Sequence, residues 1–219
     1  MKILIIGGGK LCYYLVKTLQ PGHHEITLIE KRMEICERVA TDFNVDVYNG
    51  DGTNIALLEQ AGAADMDILI ALTGKDENNL IASEICKKKF GIRFTVAKVN
   101  NPKNIEMFER LGVDKPVSST QILADLIEQE VEYSGMKIVM KVKGTSKVIV
   151  EFQLSTKSPA CGKRIREYEF AGESKIILRT KADGNVEIPD GDTTLSAGEI
   201  LTMVCDRHQL DNLWKSMVK

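Results

Sequence analysis

MKILIIGGGKLCYYLVKTLQPGHHEITLIE, residues 1–30, is the stretch whose reading decides the fold. Lys2 to Ile6 is a short apolar run without helical period, the pattern of a strand buried on both faces. Gly7, Gly8 and Gly9 follow at once. Leu11, Tyr14, Leu15, Thr18 and Leu19 then recur at i, i+3, i+4, i+7 and i+8, which marks one face of a helix. Pro21 and Gly22 stop that helix, and Glu25 to Glu30 forms a second strand pattern ending on a carboxylate. Strand, glycine turn, helix and strand is the layout of a dinucleotide-binding βαβ unit.

Each residue type has a physical reason to be there. A tight turn from strand into helix needs a residue without the Cβ penalty, and Gly7 supplies it. Gly9 lets a phosphate approach the backbone. The first amides of the helix lack intrahelical partners, so an anion there gains hydrogen bonds and the favourable end of the dipole. Glu30 stands where a carboxylate accepts from ribose hydroxyls, and a carboxylate repels a 2′-phosphate. The expected ligand therefore has a free ribose diol (NAD, NADH, ATP or ADP) rather than NADP. The third glycine of the fingerprint is replaced by Cys12, a small hydrophobe suited to close helix–strand packing.

The rest of the composition narrows the class. The chain has 219 residues, suited to one larger and one smaller domain. It is 43% hydrophobic and 27% charged, which predicts a packed globular protein. The net charge is −2 and no basic tract stands out, which disfavours nucleic acid as the main partner. No apolar run has the length of a membrane span. The chain opens directly on a strand, so no signal peptide is expected and a cytoplasmic location is. Five cysteines at 12, 36, 86, 161 and 205 form no CxxC pair. They read as reduced thiols rather than a zinc or redox motif. Three scattered histidines predict no metal site, and His23 and His24 are expected in a solvated turn.

Strand and helix patterns alternate onward. A helix is expected from about Arg32 to Thr41, and a third strand at Val45 to Tyr48. Asn49-Gly50-Asp51-Gly52-Thr53 then leads into a helix through Leu57 and Leu58. Asp51 suits either a helix cap or a ligand contact at the carboxyl end of a strand. Asp67 to Leu72 is a fourth strand, followed by Thr73-Gly74-Lys75 and a helix with Asp76 as its expected N-cap. Lys87, Lys88 and Lys89 close that helix and match its negative end. Phe94 to Val99, a helix from Pro102, and Gly112 to Val117 complete six strands. Helical crossovers make the sheet parallel, so the fold class is α/β, a Rossmann doubly wound sheet. Its crevice is expected to be lined by Gly7 to Leu11, Glu30, Asp51, Thr73 and Gly74. A helix from 120 to 133 then either bridges to another body or packs on the same sheet, and Ser134-Gly135 is the candidate linker. Beyond it, strands around Gly144-Thr145, at Lys175 to Thr180, Val186 to Ile188 and Ile200 to Cys205, predict a small α+β domain. CGKRIRE, from Cys161, reads as a short helix, and Leu210 to Met217 as a closing one. The expected domains are 1–134 and 135–219.

IIGGGKLCYYL, YNGDGTN and ALTGKDENNL, a bridging helix, GKRIREYEF and LSAGEILTMV together resemble the RCK (KTN) regulators. These are the cytoplasmic nucleotide-binding subunits of Trk/Ktr potassium-uptake systems, and the resemblance covers essentially the whole chain. By that resemblance Gly7, Gly8, Gly9, Lys10 and Leu11 are the phosphate loop, with Lys10 the cation that reaches a terminal phosphate. Glu30 is the ribose acid, Asp51, Gly52 and Thr53 the GD-x-T loop, and Thr73 and Gly74 the loop beside adenine or ribose. Lys98 matches the position ending the fifth strand. The resemblance implies a homo-oligomer, from dimer to octameric ring, on the inner face of a transmembrane potassium-translocating subunit, peripheral to the cell membrane. Some relatives place a carboxylate for a divalent ion at the exit of the sheet. Ser118-Ser119-Thr120 offers none. Two other readings share the fold. One is an NAD-dependent oxidoreductase, disfavoured because no set of residues beyond the Rossmann part reads as a positioned acid, base or metal site for a nicotinamide, His208 standing alone near the last helix. The other is an RCK-like regulator of a different transporter or channel.

Overall fold

Six parallel strands form the first sheet of the computed structural model, which describes residues 1–133 and 135–218. They are β1 (Lys2–Ile6), β2 (Glu25–Glu30), β3 (Asp46–Asn49), β4 (Ile68–Ala71), β5 (Phe94–Lys98) and β6 (Lys115–Val117). Their order is β3-β2-β1-β4-β5-β6. The crossovers are α1 (Lys10–Leu19), α2 (Met33–Asp42), α3 (Ile55–Gln60), α4 (Asp76–Lys88) and α5 (Ile105–Arg110). This is the doubly wound Rossmann arrangement, and the strand order reverses between β1 and β4. A ligand crevice belongs at that reversal, outside the carboxyl ends of the strands.

β1 shows why an unbroken apolar run was needed. Leu4 and Ile6 join the core with Leu58, Ala82 and Cys86, while Ile3 and Ile5 join the opposite one with Cys12, Val16 and Val39. Alternate side chains point to opposite faces of a strand, and here both faces are covered. Each buried aliphatic chain contributes roughly 1.5–3 kcal/mol.

Several local expectations need correction. The buried stripe of α1 runs through Cys12 and Val16, leaving Leu11 and Tyr14 52% and 66% exposed. Cys12 and Val16 are both fully buried in the core with β1 and β2, so the stripe is turned by one residue from the one the spacing suggests. Asp76 does not cap α4. The cap position is Lys75, and the Asp76 carboxylate accepts instead from the Asn100 and Asn101 amides and from Asn104 Nδ2. Lys87 and Lys88 stand in the last turn of α4 as expected, and each of the three lysines is also paired: Lys87 with Asp114, Lys88 with Glu84 and Lys89 with Glu59. His24 is half-buried rather than solvated, and its Nδ1 is buried without a hydrogen-bond partner.

α6 spans Ser119–Glu132. The chain divides by its internal contacts into Met1–Leu123 and Ala124–Lys219, a division that falls inside this helix. The expected linker was Ser134-Gly135, of which Ser134 lies outside the described residues. Ile122, Leu123, Leu126, Ile127 and Val131 of α6 are all exposed in the single chain.

The second unit holds an antiparallel sheet ordered β10-β9-β11-β8-β7. The strands are β7 (Met136–Lys141), β8 (Lys147–Gln153), β9 (Lys175–Thr180), β10 (Val186–Glu187) and β11 (Ile200–Asp206). Alternate residues of β8 and β11, among them Val148, Val150, Phe152, Leu201, Met203 and Cys205, fill its core. α7 (Leu210–Val218) adds Leu210, Leu213 and Met217. The expected helix at CGKRIRE shrinks to a single 3₁₀ turn at Ile165–Glu167, within a segment that bonds to Gly191, Thr193 and Leu195 instead.

Arg179 of β9 pairs with the buried Glu199 in this unit. Its guanidinium bonds Glu199 through Nε at 2.9 Å and through Nη2, and pairs with Glu187 at 2.7 Å. The side chains of Arg179 and Glu199 are 11% and 6% exposed. Removing one partner strands the other charge. Arg179→Ala is therefore expected to destabilise the second unit by about 3–5 kcal/mol, read as a lower urea midpoint for its transition in the full chain.

Candidate functional site

The glycine turn after β1 is held by contacts only glycine permits. Gly7 has φ +100, its amide donates to the Ile29 carbonyl at 2.8 Å, and an added Cβ would stand 3.0 Å from the Leu72 and Thr73 backbone. Gly7 thus turns the chain and lets the ends of β1 and β4 approach. Gly8 is buried, with its amide on Glu30 Oε2 at 2.5 Å. Gly9 is the N-cap of α1, and nothing lies within 4 Å of where its Cβ would be. That empty volume, beside the unpaired first amides of a helix, is a cradle for an anion.

Glu30, 6% exposed, closes the other side of the turn. Besides Gly8 it accepts from the Arg32 amide at 2.9 Å and from Arg32 Nε at 3.0 Å. Burial alone would raise its carboxyl. The hydrogen bonds from the Arg32 side chain and from the Arg32 and Gly8 amides outweigh this and hold it below the usual glutamate range. Asp51 is not the helix cap, and it stands on the crevice lining with both oxygens engaged. Its Oδ1 accepts from the Thr53 amide and hydroxyl, locking the loop, and its Oδ2 pairs with Lys31 at 2.8 Å. The cap of α3 is Asn54, which accepts from the Ala56 and Leu57 amides. Gly52 packs so closely on β1 that a Cβ would meet Ile6 Cγ2 at 2.2 Å.

The far wall is fixed by Asn79 of α4, which is fully buried. Its Oδ1 accepts from the Thr73 amide at 2.8 Å and hydroxyl at 2.6 Å, and its Nδ2 donates to the Lys98 carbonyl at 2.8 Å. One side-chain amide thus ties together the chain ends after β4 and β5.

These walls enclose a crevice of about 540 Å³. Of the residues expected there, Gly7, Gly9, Glu30, Asp51, Gly52, Thr53, Thr73, Gly74 and Lys98 line it. Gly8 lies behind the wall. Lys10 and Leu11 are exposed and are not on the lining. Lys31, Arg32, Lys75 and Asn78 line the crevice and were not anticipated. The signal for the first two was available: they follow Glu30 directly at a strand's carboxyl end, and such positions face the crevice. Among the described residues no group of three or more His, Cys, Asp or Glu stands ready to hold a metal ion.

Two outcomes follow from this geometry. Asn79→Ala leaves the Thr73 amide and the Lys98 carbonyl without their partner and is expected to cost about 1–3 kcal/mol for each group left unsatisfied, measured by urea unfolding. The folded-state pKa of Glu30 is depressed, so its contribution is present above the ordinary value of 4.5 and is lost as pH falls through the folded value. Unfolding free energy of the first unit should therefore fall on acidification below about pH 4.5, and fall less steeply in Glu30→Gln.

Comparison with known proteins agrees with this architecture. The TrkA-N domain family matches residues 3–119, and the TrkA-C domain family matches residues 149–216. A Trk system potassium uptake protein TrkA homolog from Archaeoglobus fulgidus is 30% identical over 97% of this chain. The chain spans about half of that relative, 49% of its length. The Trk system potassium uptake protein TrkA of Mycobacterium tuberculosis is 29% identical, with 93% of this chain matching 92% of that one. The GsuK channel has the same fold, with a TM-score of 0.70 at 19% identity over 99% of this chain and 39% of that one. A GsuK channel bound to NAD gives a TM-score of 0.53 at 22% identity over 98% of this chain and 38% of that one. The extent of the first match places this chain in the TrkA-N domain family, with a TrkA-C domain following in the same polypeptide.

Proposed function

We propose that this chain is a nucleotide-sensing regulator of a potassium transporter of the Trk/Ktr kind, working by change of shape rather than by catalysis. The observation that carries the reading is the anion cradle at Gly9, set at the strand-order reversal between β1 and β4. The names of the relatives supply the potassium system. The ligand class is an adenine nucleotide, NAD or NADH, or ATP or ADP, its phosphates on the α1 amides and its ribose beside Glu30. The crevice lining supports binding more than turnover: both its carboxylates are already paired, with Arg32 and Lys31.

Sensing needs two states of differing affinity. The proposed states are two arrangements of a homo-oligomer on the inner face of the membrane partner. The exposed apolar residues of α6 support self-association, because an amphipathic helix with its apolar face in water gains by burying it. No helix among the described residues is long and apolar enough to cross a membrane. Phosphate number distinguishes ATP from ADP at the α1 amides, which makes that turn the natural sensor.

Gly9→Asp tests the reading cleanly. Gly9 has φ −66 and open space at its Cβ, so aspartate fits without backbone strain. The folded protein should keep its circular dichroism and melting profile while the carboxylate occupies the phosphate position. Calorimetric titration with NAD, NADH, ATP and ADP should show at least a ~100-fold loss of affinity, about 2.7 kcal/mol. Wild-type affinity in the variant would remove the phosphate assignment. Sustained turnover of a nicotinamide cofactor with a small alcohol or acid would favour the oxidoreductase reading instead.

A further inference from the structure

The ribose corner of the crevice holds more than the acid expected there. A carboxylate offers about four lone-pair sites. All four at Glu30 are met: Oε2 by the Gly8 amide at 2.5 Å and Arg32 Nη2 at 3.3 Å, Oε1 by the Arg32 amide at 2.9 Å and Arg32 Nε at 3.0 Å. Two of these donors are backbone and fixed. The other two belong to one side chain, and that side chain is 56% exposed. A ribose diol therefore cannot bond Glu30 until the guanidinium leaves. Arg32 competes with the ligand's own hydroxyls for one carboxylate.

The released guanidinium does not leave the neighbourhood. Arg32 and Lys31 both line the crevice, and Lys31 is held there by Asp51. Glu30, Lys31, Arg32 and Asp51 make two negative and two positive charges, so the corner is neutral rather than acidic. A phosphate monoester carries about −1.5 to −2 at neutral pH. A guanidinium presents a fork that matches such a group with two parallel hydrogen bonds.

We propose that Arg32 is the specificity-determining residue of this subsite, lowering affinity for a free ribose diol and admitting a 2′-phosphorylated adenosine. This revises the expectation that Glu30 excludes NADP, and it rests on the nucleotide reading above. The acid alone would select the diol. The acid already paired with arginine selects weakly, because each ligand finds one partner and displaces the other.

The test compares ligand pairs that differ only at the 2′ position: NAD⁺ with NADP⁺, and AMP with adenosine 2′,5′-bisphosphate. Titrations use the full chain as wild type, Arg32→Ala and Arg32→Lys, with melting curves to verify folding. Wild type is expected to bind the members of each pair within ~10-fold, 1.4 kcal/mol. Arg32→Ala is expected to bind the diol ligand more tightly and the 2′-phosphate ligand more weakly. The ratio of dissociation constants should then rise by at least ~10-fold. Arg32→Lys, which keeps the charge and loses the fork, should fall between. A wild-type protein that rejects both 2′-phosphate ligands by more than ~100-fold, or an Arg32→Ala protein weakened equally for both members of a pair, overturns the proposal and leaves nucleotide binding intact. Failure of every one of these ligands to bind wild type overturns this proposal together with the nucleotide reading.

Discussion

A buried carboxylate anchors the opening turn. Glu30 lies at the end of β2, yet its strongest geometric partner is the Gly8 amide in the turn after β1. The amide is buried and needs an acceptor, and the carboxylate is buried and needs donors. Each solves the other's desolvation. The same carboxylate takes the Arg32 amide and so fixes the chain leaving β2. The relative placement of the first two strand ends, and with it the room beside Gly9, depends on this one group.

Most of the first unit is legible in the sequence because its signals are local. An apolar run buried on both faces, a glycine triplet and regular alternation of strand and helix suffice to infer a parallel sheet. What is not legible depends on partners distant in sequence. Asp76 has the residue type and position of a helix cap, but the loop after β5 presents the Asn100 and Asn101 amides to it, and these win. Asp51 has the type of a cap, but Asn54 takes that place, and Lys31 and Thr53 engage both Asp51 oxygens at the crevice wall. Periodicity placed Leu11 on the inner face of α1, where Cys12 and Val16 stand instead. Arg32 carried no motif at all. Its role depends on the side chain turning back to the residue two before it.

The second unit was legible as strands and turns but not as a sheet order. Its hairpins are sequence-adjacent, β7 with β8 and β9 with β10, and turn residues announce them. β11 enters between β8 and β9, a non-local pairing that no short pattern encodes. The Arg179 cluster sits across that pairing, with Arg179 on β9 and Glu199 just before β11. Opposite charges at these positions favour the observed neighbour over a slipped one, since any other register would bury a lone charge.

The cysteines have a practical meaning beyond packing. Cys12 and Cys86 are buried, and burial pushes both thiols up to about 12, with the Glu30 charge adding to the effect at Cys12. Burial raises Cys205 as well, and Cys36 is buried too. Alkylating reagents need a thiolate that solvent can reach. Only Cys161, half-buried in the second unit, meets the access condition. The unaltered polypeptide thus brings its own attachment point for a maleimide fluorophore, far in sequence from the glycine turn, and its spectroscopy can begin without cysteine engineering.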